Sequence, residues 1–145
     1  MSRLHTHTKF WVGFDRHCPE SDPTVDKIVE EFLHDFKPQI RVAGGDWQTA
    51  DQVSKFGSET PVHLKDEFAM NRHALRRFGI THYLEGNHEE RLRRIGLLDP
   101  RVRSLADVQT NLHLAKMKIQ FVPYHPTKGV LRFGCLKVFH GFYAN

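Results

Sequence analysis

Four short motifs place metal-ligand residue types in order along 145 residues: Asp15 with His17, Asp46 behind Gly45, Asn87 with His88, and His140 before Gly141. Carboxylate, imidazole and amide oxygen in one set suit borderline divalent ions such as manganese, iron or zinc, and a single aspartate can bridge two of them. A bridged pair of ions about 3.5–4 Å apart holds both the attacking and the leaving oxygen of a phosphoryl displacement, and it brings water close to ionisation at neutral pH. Each residue alone has a simpler use, because Asp and Asn cap turns and helices everywhere. The set is informative because its members are expected to lie at the ends of four different strands.

Those strands follow from patterning. Lys9 to Phe14 is an apolar, aromatic run that stops at the polar loop Asp15-Arg16-His17-Cys18-Pro19, and it reads as a buried strand. Asp22 and Pro23 are a helix cap and first position. Val25, Ile28, Val29, Phe32, Leu33 and Phe36 then recur at helical spacing on one face, so an amphipathic helix is expected up to Pro38. Gln39 to Ala43 reads as the second strand, broken by Gly44-Gly45-Asp46, where small residues let the backbone turn and approach a ligand.

Thr60 and Pro61 cap and start a second helix reaching about Phe78, with Leu64, Phe68, Leu75 and Phe78 inward and Gly79 as terminator. Ile80 to Leu84 is the third strand, leading into Glu85-Gly86-Asn87-His88-Glu89. A helix is expected from Glu89, where Glu89 and Glu90 precede Arg93 and Arg94 by four residues. Its free amides and positive dipole end would face the strand ends and favour a phosphate. Asp99 to His113 is less regular, with a short helix after Pro100. Lys118 to Val122 alternates as a strand, and Val130 to Phe133 with Leu136 to Phe139 flank Gly134-Cys135 as a hairpin. Helices and strands alternate early and strands dominate late, which argues for one α/β layered domain over residues 1–145 whose parallel strands carry functional loops at their carboxyl ends.

The length suffices for a core without disulfides or a structural metal, which leaves any metal free for chemistry. An apolar fraction of 39% and a charged fraction of 26% are those of a globular chain, and no apolar run approaches the roughly 20 residues that cross a bilayer. Cys18 and Cys135 form no C-x-x-C pair and the start has no apolar leader, so a cytoplasmic location and no membrane partner are expected. Twenty-one Lys and Arg against 17 Asp and Glu give +4, a mild bias towards acidic partners such as phosphates.

The ordered set D-x-H (Asp15, His17), G-D (Gly45, Asp46), G-N-H-E (Gly86 to Glu89) and H-G (His140, Gly141) resembles the calcineurin-like metallophosphoesterase family. G-N-H-E is its most specific piece, and the segment Tyr83 to Arg94 looks most like members from phages and bacteria, for which the location would be the host cytoplasm. The resemblance implies a sandwich of helices flanking mixed β-sheets and the hydrolysis of phosphoric mono- or diesters, nucleotide or nucleic-acid esters among them. It also implies two divalent ions, manganese foremost, with iron, zinc or nickel as alternatives. Asp15 and His17 would bind the first ion, Asp46 would bridge, Asn87 and His140 would bind the second, and His88 would act as the acid that protonates the leaving oxygen.

The family pattern ends in a G-H-x-H motif after H-G, and none follows His140 before Asn145. The sandwich is therefore expected to be incomplete at its carboxyl end, with each ion one protein ligand short unless water or a partner chain fills the place. An impaired phosphate- or nucleic-acid-binding module and one piece of a split enzyme stand as alternatives. The family's G-D-x-x-D is also changed, to Gly45-Asp46-Trp47-Gln48-Thr49-Ala50-Asp51. His34, His63, His73, His82, His113 and His125 read as surface or locally hydrogen-bonded groups, Arg91 to Arg103 as a solvated helix face, Cys18 as a small loop filler, and Trp11 and the phenylalanines as core.

Overall fold

The computed structural model describes residues 8–54, 59 and 61–141. Four short strands, β1 (Phe10–Gly13), β2 (Ile40–Ala43), β3 (His82–Leu84) and β4 (Gln120–Val122), form a parallel sheet in the order β1-β2-β3-β4. Val12 lies opposite Val42, Val42 opposite His82, and Tyr83 opposite Phe121. Helices α1 (Pro23–Phe36), α2 (Leu64–Arg77) and α3 (Asn87–Leu98) precede β2, β3 and β4, and the short α4 (Arg103–Ala106) and α5 (Val108–Asn111) follow α3. Strands β5 (Leu131–Phe133) and β6 (Leu136–Val138) pair antiparallel, turning at Gly134 with φ 61°.

A strand order that steps one way, joined by crossovers of one hand, puts every helix on the same face of the sheet. The core divides accordingly. Ala43 and Tyr83 join Leu33 of α1, Phe68 and Leu75 of α2, Leu92 of α3 and Leu112 on one side. Val42, Leu84 and Val122, one residue out of phase, pack on the other side against Leu131 and Val138 of the hairpin. The architecture is α/β, with a helical layer, a parallel sheet and a β-hairpin layer. Among the described residues no helix is long and apolar enough to cross a membrane.

Several boundaries differ from the sequence reading. β1 ends at Gly13, because the next residues turn into the Asp15 loop. α2 starts at Leu64 and not at Pro61, with His63 at the cap position, and the proposed cap Thr60 lies outside the described residues. α3 starts at Asn87, two residues before Glu89, so the G-N-H-E motif is itself the helix start. The stripe on α1 is buried only at Leu33, with Val29 packed against the core, whereas Val25, Ile28 and Phe32 are exposed. Phe10, Phe14 and Phe139 are also exposed and are not core. The parallel sheet offers α1 a single buried ridge, so the rest of its apolar face has nothing to cover it among the described residues.

Candidate metal centre

The loops after β1 and β2 run side by side beyond the sheet. Asp15, His17 and Cys18 donate their backbone N–H groups to the carbonyls of Gly45, Asp46 and Trp47 at 2.8–3.1 Å, and Thr49 returns one to Cys18. This ladder brings D-x-H and G-D together at the carboxyl edge. Asp15, His17, Asp46 and Ala50 all take left-handed backbone, with φ between 48° and 53°. Such conformations cost of order 1 kcal/mol or more each in non-glycine residues and persist where the surroundings over-determine them.

Two trios of side chains result, and they share one residue. Ligand atoms of His17, Asp46 and His88 lie within 4.8 Å of one another, as do those of Asp15, Asp46 and His140. His140 Nε2 is 3.5 Å from Asp46 Oδ2 and 3.6 Å from Asp15 Oδ1. His88 Nε2 is 3.9 Å from Asp46 Oδ2, and the His17 and His88 rings meet edge to face at 4.8 Å. Asp46 is only 4% exposed, a burial that carboxylates tolerate when they are paired or hold a metal. The donor set, two carboxylates and three imidazoles with the buried His140 Nδ1 lacking a partner among the described residues, fits borderline divalent ions. Asn87 opens α3 beside His88 and is exposed.

His88 is oriented by its neighbours. Its backbone N–H caps onto Asp46 Oδ1 at 3.0 Å, and its Nδ1 lies 2.6 Å from the Thr49 carbonyl. A carbonyl can only accept, so Nδ1 carries the proton and the neutral ring presents a bare Nε2 to the cluster.

Glu89 is the residue whose role the sequence reading misassigned. It is fully buried and does not pair with Arg93. One oxygen accepts from the backbone N–H of Trp47 and Gln48 and the Tyr83 hydroxyl, at 2.8, 3.0 and 2.7 Å. The other accepts from the backbone N–H of Asp46 and Gly86, at 3.1 and 2.9 Å. Five donors on one carboxylate fasten the β2 loop to the start of α3. Arg93 pairs with Glu85 at 3.2 Å instead, and Glu90 takes Arg94 at 3.9 Å. Gly86 has to be glycine, since a Cβ there would overlap Asp46 Oδ1 and the Asp46 nitrogen.

Helix α2 supports the same loop from behind. Glu67 and Asn71, one turn apart on the buried face, bind Ala50 N–H at 2.9 Å and the Gln48 side chain at 2.5 Å. A Glu and an Asn within the apolar stripe of Phe68 and Leu75 were the sequence signal for this support. Burial pushes the Glu67 carboxyl up to about 7, against the lowering effect of the amides it binds. Cys18 is buried and its thiol is pushed up by desolvation, in keeping with a loop filler. His34, His63, His73, His82, His113 and His125 belong to neither trio. A cleft of about 440 Å³ opens beside Asp15 and His17, walled by Trp11, Phe14, Val25 and Arg16, whose guanidinium is paired with Asp26.

No family model, curated protein or solved structure matches this chain.

Proposed function

We propose that this chain hydrolyses phosphoric esters at a dinuclear divalent-metal centre, in a calcineurin-like layered sandwich. The observation that carries the reading is Asp46, one buried carboxylate common to two ligand trios at the carboxyl edge of a parallel sheet. Asp15 and His140 with Asp46 would hold one ion, and His17 with Asp46 the other, with the His88 ring beside it. This partition differs from the one the family resemblance implies, in which Asp15 and His17 share an ion and Asn87 joins His140. Bound ions of this kind, manganese foremost, supply Lewis acidity and water acidified to near neutrality.

The protein's own groups supply orientation and a proton. Glu89 fixes the Asp46 loop, and the Thr49 carbonyl fixes the His88 ring. Neutral His88 has no proton on Nε2, so it acts as acid towards a leaving oxygen only as imidazolium, with both nitrogens protonated. The cleft beside Asp15 gives a leaving group a partly apolar wall at Phe14 and Val25.

The test is manganese-dependent hydrolysis of a bis-nitrophenyl phosphate diester, with His88→Ala and chelated protein as controls. Turnover lost in both controls supports the reading. Folded protein that binds manganese without turnover would overturn it in favour of a phosphate- or nucleic-acid-binding module.

The exposed Phe10, Phe14, Val25, Ile28, Phe32 and Phe139 favour a second reading, in which the chain is one piece of a larger phosphoesterase and a partner chain adds further histidines. Turnover that appears only when a second chain is co-expressed would select it.

A further inference from the structure

The carbonyl that holds His88 and the N–H that Glu67 holds belong to one peptide unit, the bond between Thr49 and Ala50. His88 Nδ1 lies 2.6 Å from the Thr49 oxygen, and Ala50 N–H donates to Glu67 Oε1 at 2.9 Å. A trans peptide points its C=O and N–H in opposite directions, so α2 can grip this unit from one side while α3 grips it from the other. Both ends are dry: Glu67 and Ala50 are fully buried and Thr49 is 7% exposed. The left-handed Ala50, with φ 52° and ψ 41°, sets the unit across the gap between the helices.

We propose that Glu67 is a positioning residue that acts on His88 through the Thr49–Ala50 peptide. A carboxylate pulling on the N–H end of an amide raises the electron density on its carbonyl oxygen, and chained hydrogen bonds strengthen one another in a low-dielectric interior. The stronger acceptor holds the Nδ1–H tautomer and aims Nε2 at the cluster. Histidines in other sites take this support from a carboxylate directly; here it is relayed by one backbone amide. The titratable groups around Glu67 are Cys18, Glu89 and Asp51, and those facing His88 are Asp46 and His17. The kinetic consequence rests on the phosphoesterase reading, whereas the hydrogen-bond chain does not.

The experiment uses Glu67→Gln, which keeps the shape of the side chain and removes the negative charge, so the variant is expected to fold. Metal-free protein labelled with 15N-histidine is observed above about pH 8, where Glu67 is the carboxylate, with the His88 signals assigned by their loss in His88→Gln. The His88 Nδ1–H proton is expected to move upfield and exchange faster with water in Glu67→Gln. Glu67→Asp, which keeps the charge but withdraws it by one methylene, is expected to shift it less. Asn71→Ala, which removes the neighbouring contact of α2 with the same loop, should leave it in place.

An unmoved signal in Glu67→Gln, or an equal shift in Asn71→Ala, would overturn the relay. In manganese-loaded protein, Glu67→Gln should lose about tenfold in kcat on a diester with a poor alkoxide leaving group and under about twofold on the nitrophenyl ester, since only the former needs the acid. Equal losses on both would reduce Glu67 to a packing residue and so overturn the proposal. Wild-type protein with no hydrolysis would sink the phosphoesterase reading while the His88 signal still decides the relay.

Discussion

Glu89 Oε2 accepts the backbone N–H of Asp46 across 43 residues of sequence, and by that bond the third helix fixes the residue common to both ligand trios. Replacing Glu89 by Gln leaves one good acceptor where five donors converge. Each buried donor left unpaired costs about 1–3 kcal/mol and at least the two on Oε2 are stranded, so Glu89→Gln should lower stability by at least about 2 kcal/mol. Urea unfolding of metal-free protein measures this; a loss below about 1 kcal/mol would mean the clamp is not formed.

The shared position of Asp46 gives unequal consequences for the two trios. His140→Ala should reduce manganese stoichiometry from two to one, because the His17 and His88 side is intact. Asp46→Ala should abolish both sites. Isothermal titration reads both outcomes, and equal stoichiometry in the two variants would contradict a shared ligand.

Glu67 makes a prediction about pH. Its folded-state value is raised to about 7 from 4.5, so between those limits the folded chain binds more protons than the unfolded one. Stability contributed by the protonated acid is therefore complete below pH 4.5 and lost as pH rises towards 7, on the order of 3 kcal/mol in all. Subtracting the pH–stability curve of Glu67→Gln from that of the native chain should isolate this falling segment. A flat difference would show that Glu67 ionises normally.

A methyl group at position 86 has no room beside Asp46. Gly86→Ala should cost about 1–3 kcal/mol, the usual range for overpacking, and should also weaken manganese binding at least tenfold, because the atom displaced belongs to Asp46, the carboxylate proposed to serve both ions. Thermal unfolding with and without manganese separates the two effects.

Much of the layered order is legible in the sequence. Asp22 and Pro23, the Val and Ile of the strands and the Gly134 turn place their elements where local chemistry puts them. Gathering D-x-H, G-D, H-G and His88 at one edge follows from the rule that parallel strands carry their loops at one end. The support beneath them was not legible, because a buried Glu89 has the same local signature as a helix-surface partner of Arg93, and only the tertiary approach of the β2 loop distinguishes them. Val25, Ile28 and Phe32 misled for the opposite reason, since an apolar period says which residues share a face and not whether anything covers that face.

Among the described residues the strand order β1-β2-β3-β4 never reverses, so this sheet shows no point where crossovers diverge and open a crevice. Among the described residues, the cleft beside Asp15 and His17 is walled by the end of β1, the loop after it and the first turns of α1. Support and cleft wall thereby fall to different stretches of chain: Glu89 and Glu67 hold the loop after β2 from α3 and α2, whereas Phe14 and Val25 line the cleft from the loop after β1 and from α1. On the phosphoesterase reading, replacing Phe14 or Val25 would change which leaving group fits the cleft while leaving the buried contacts of Glu89 and Glu67 in place.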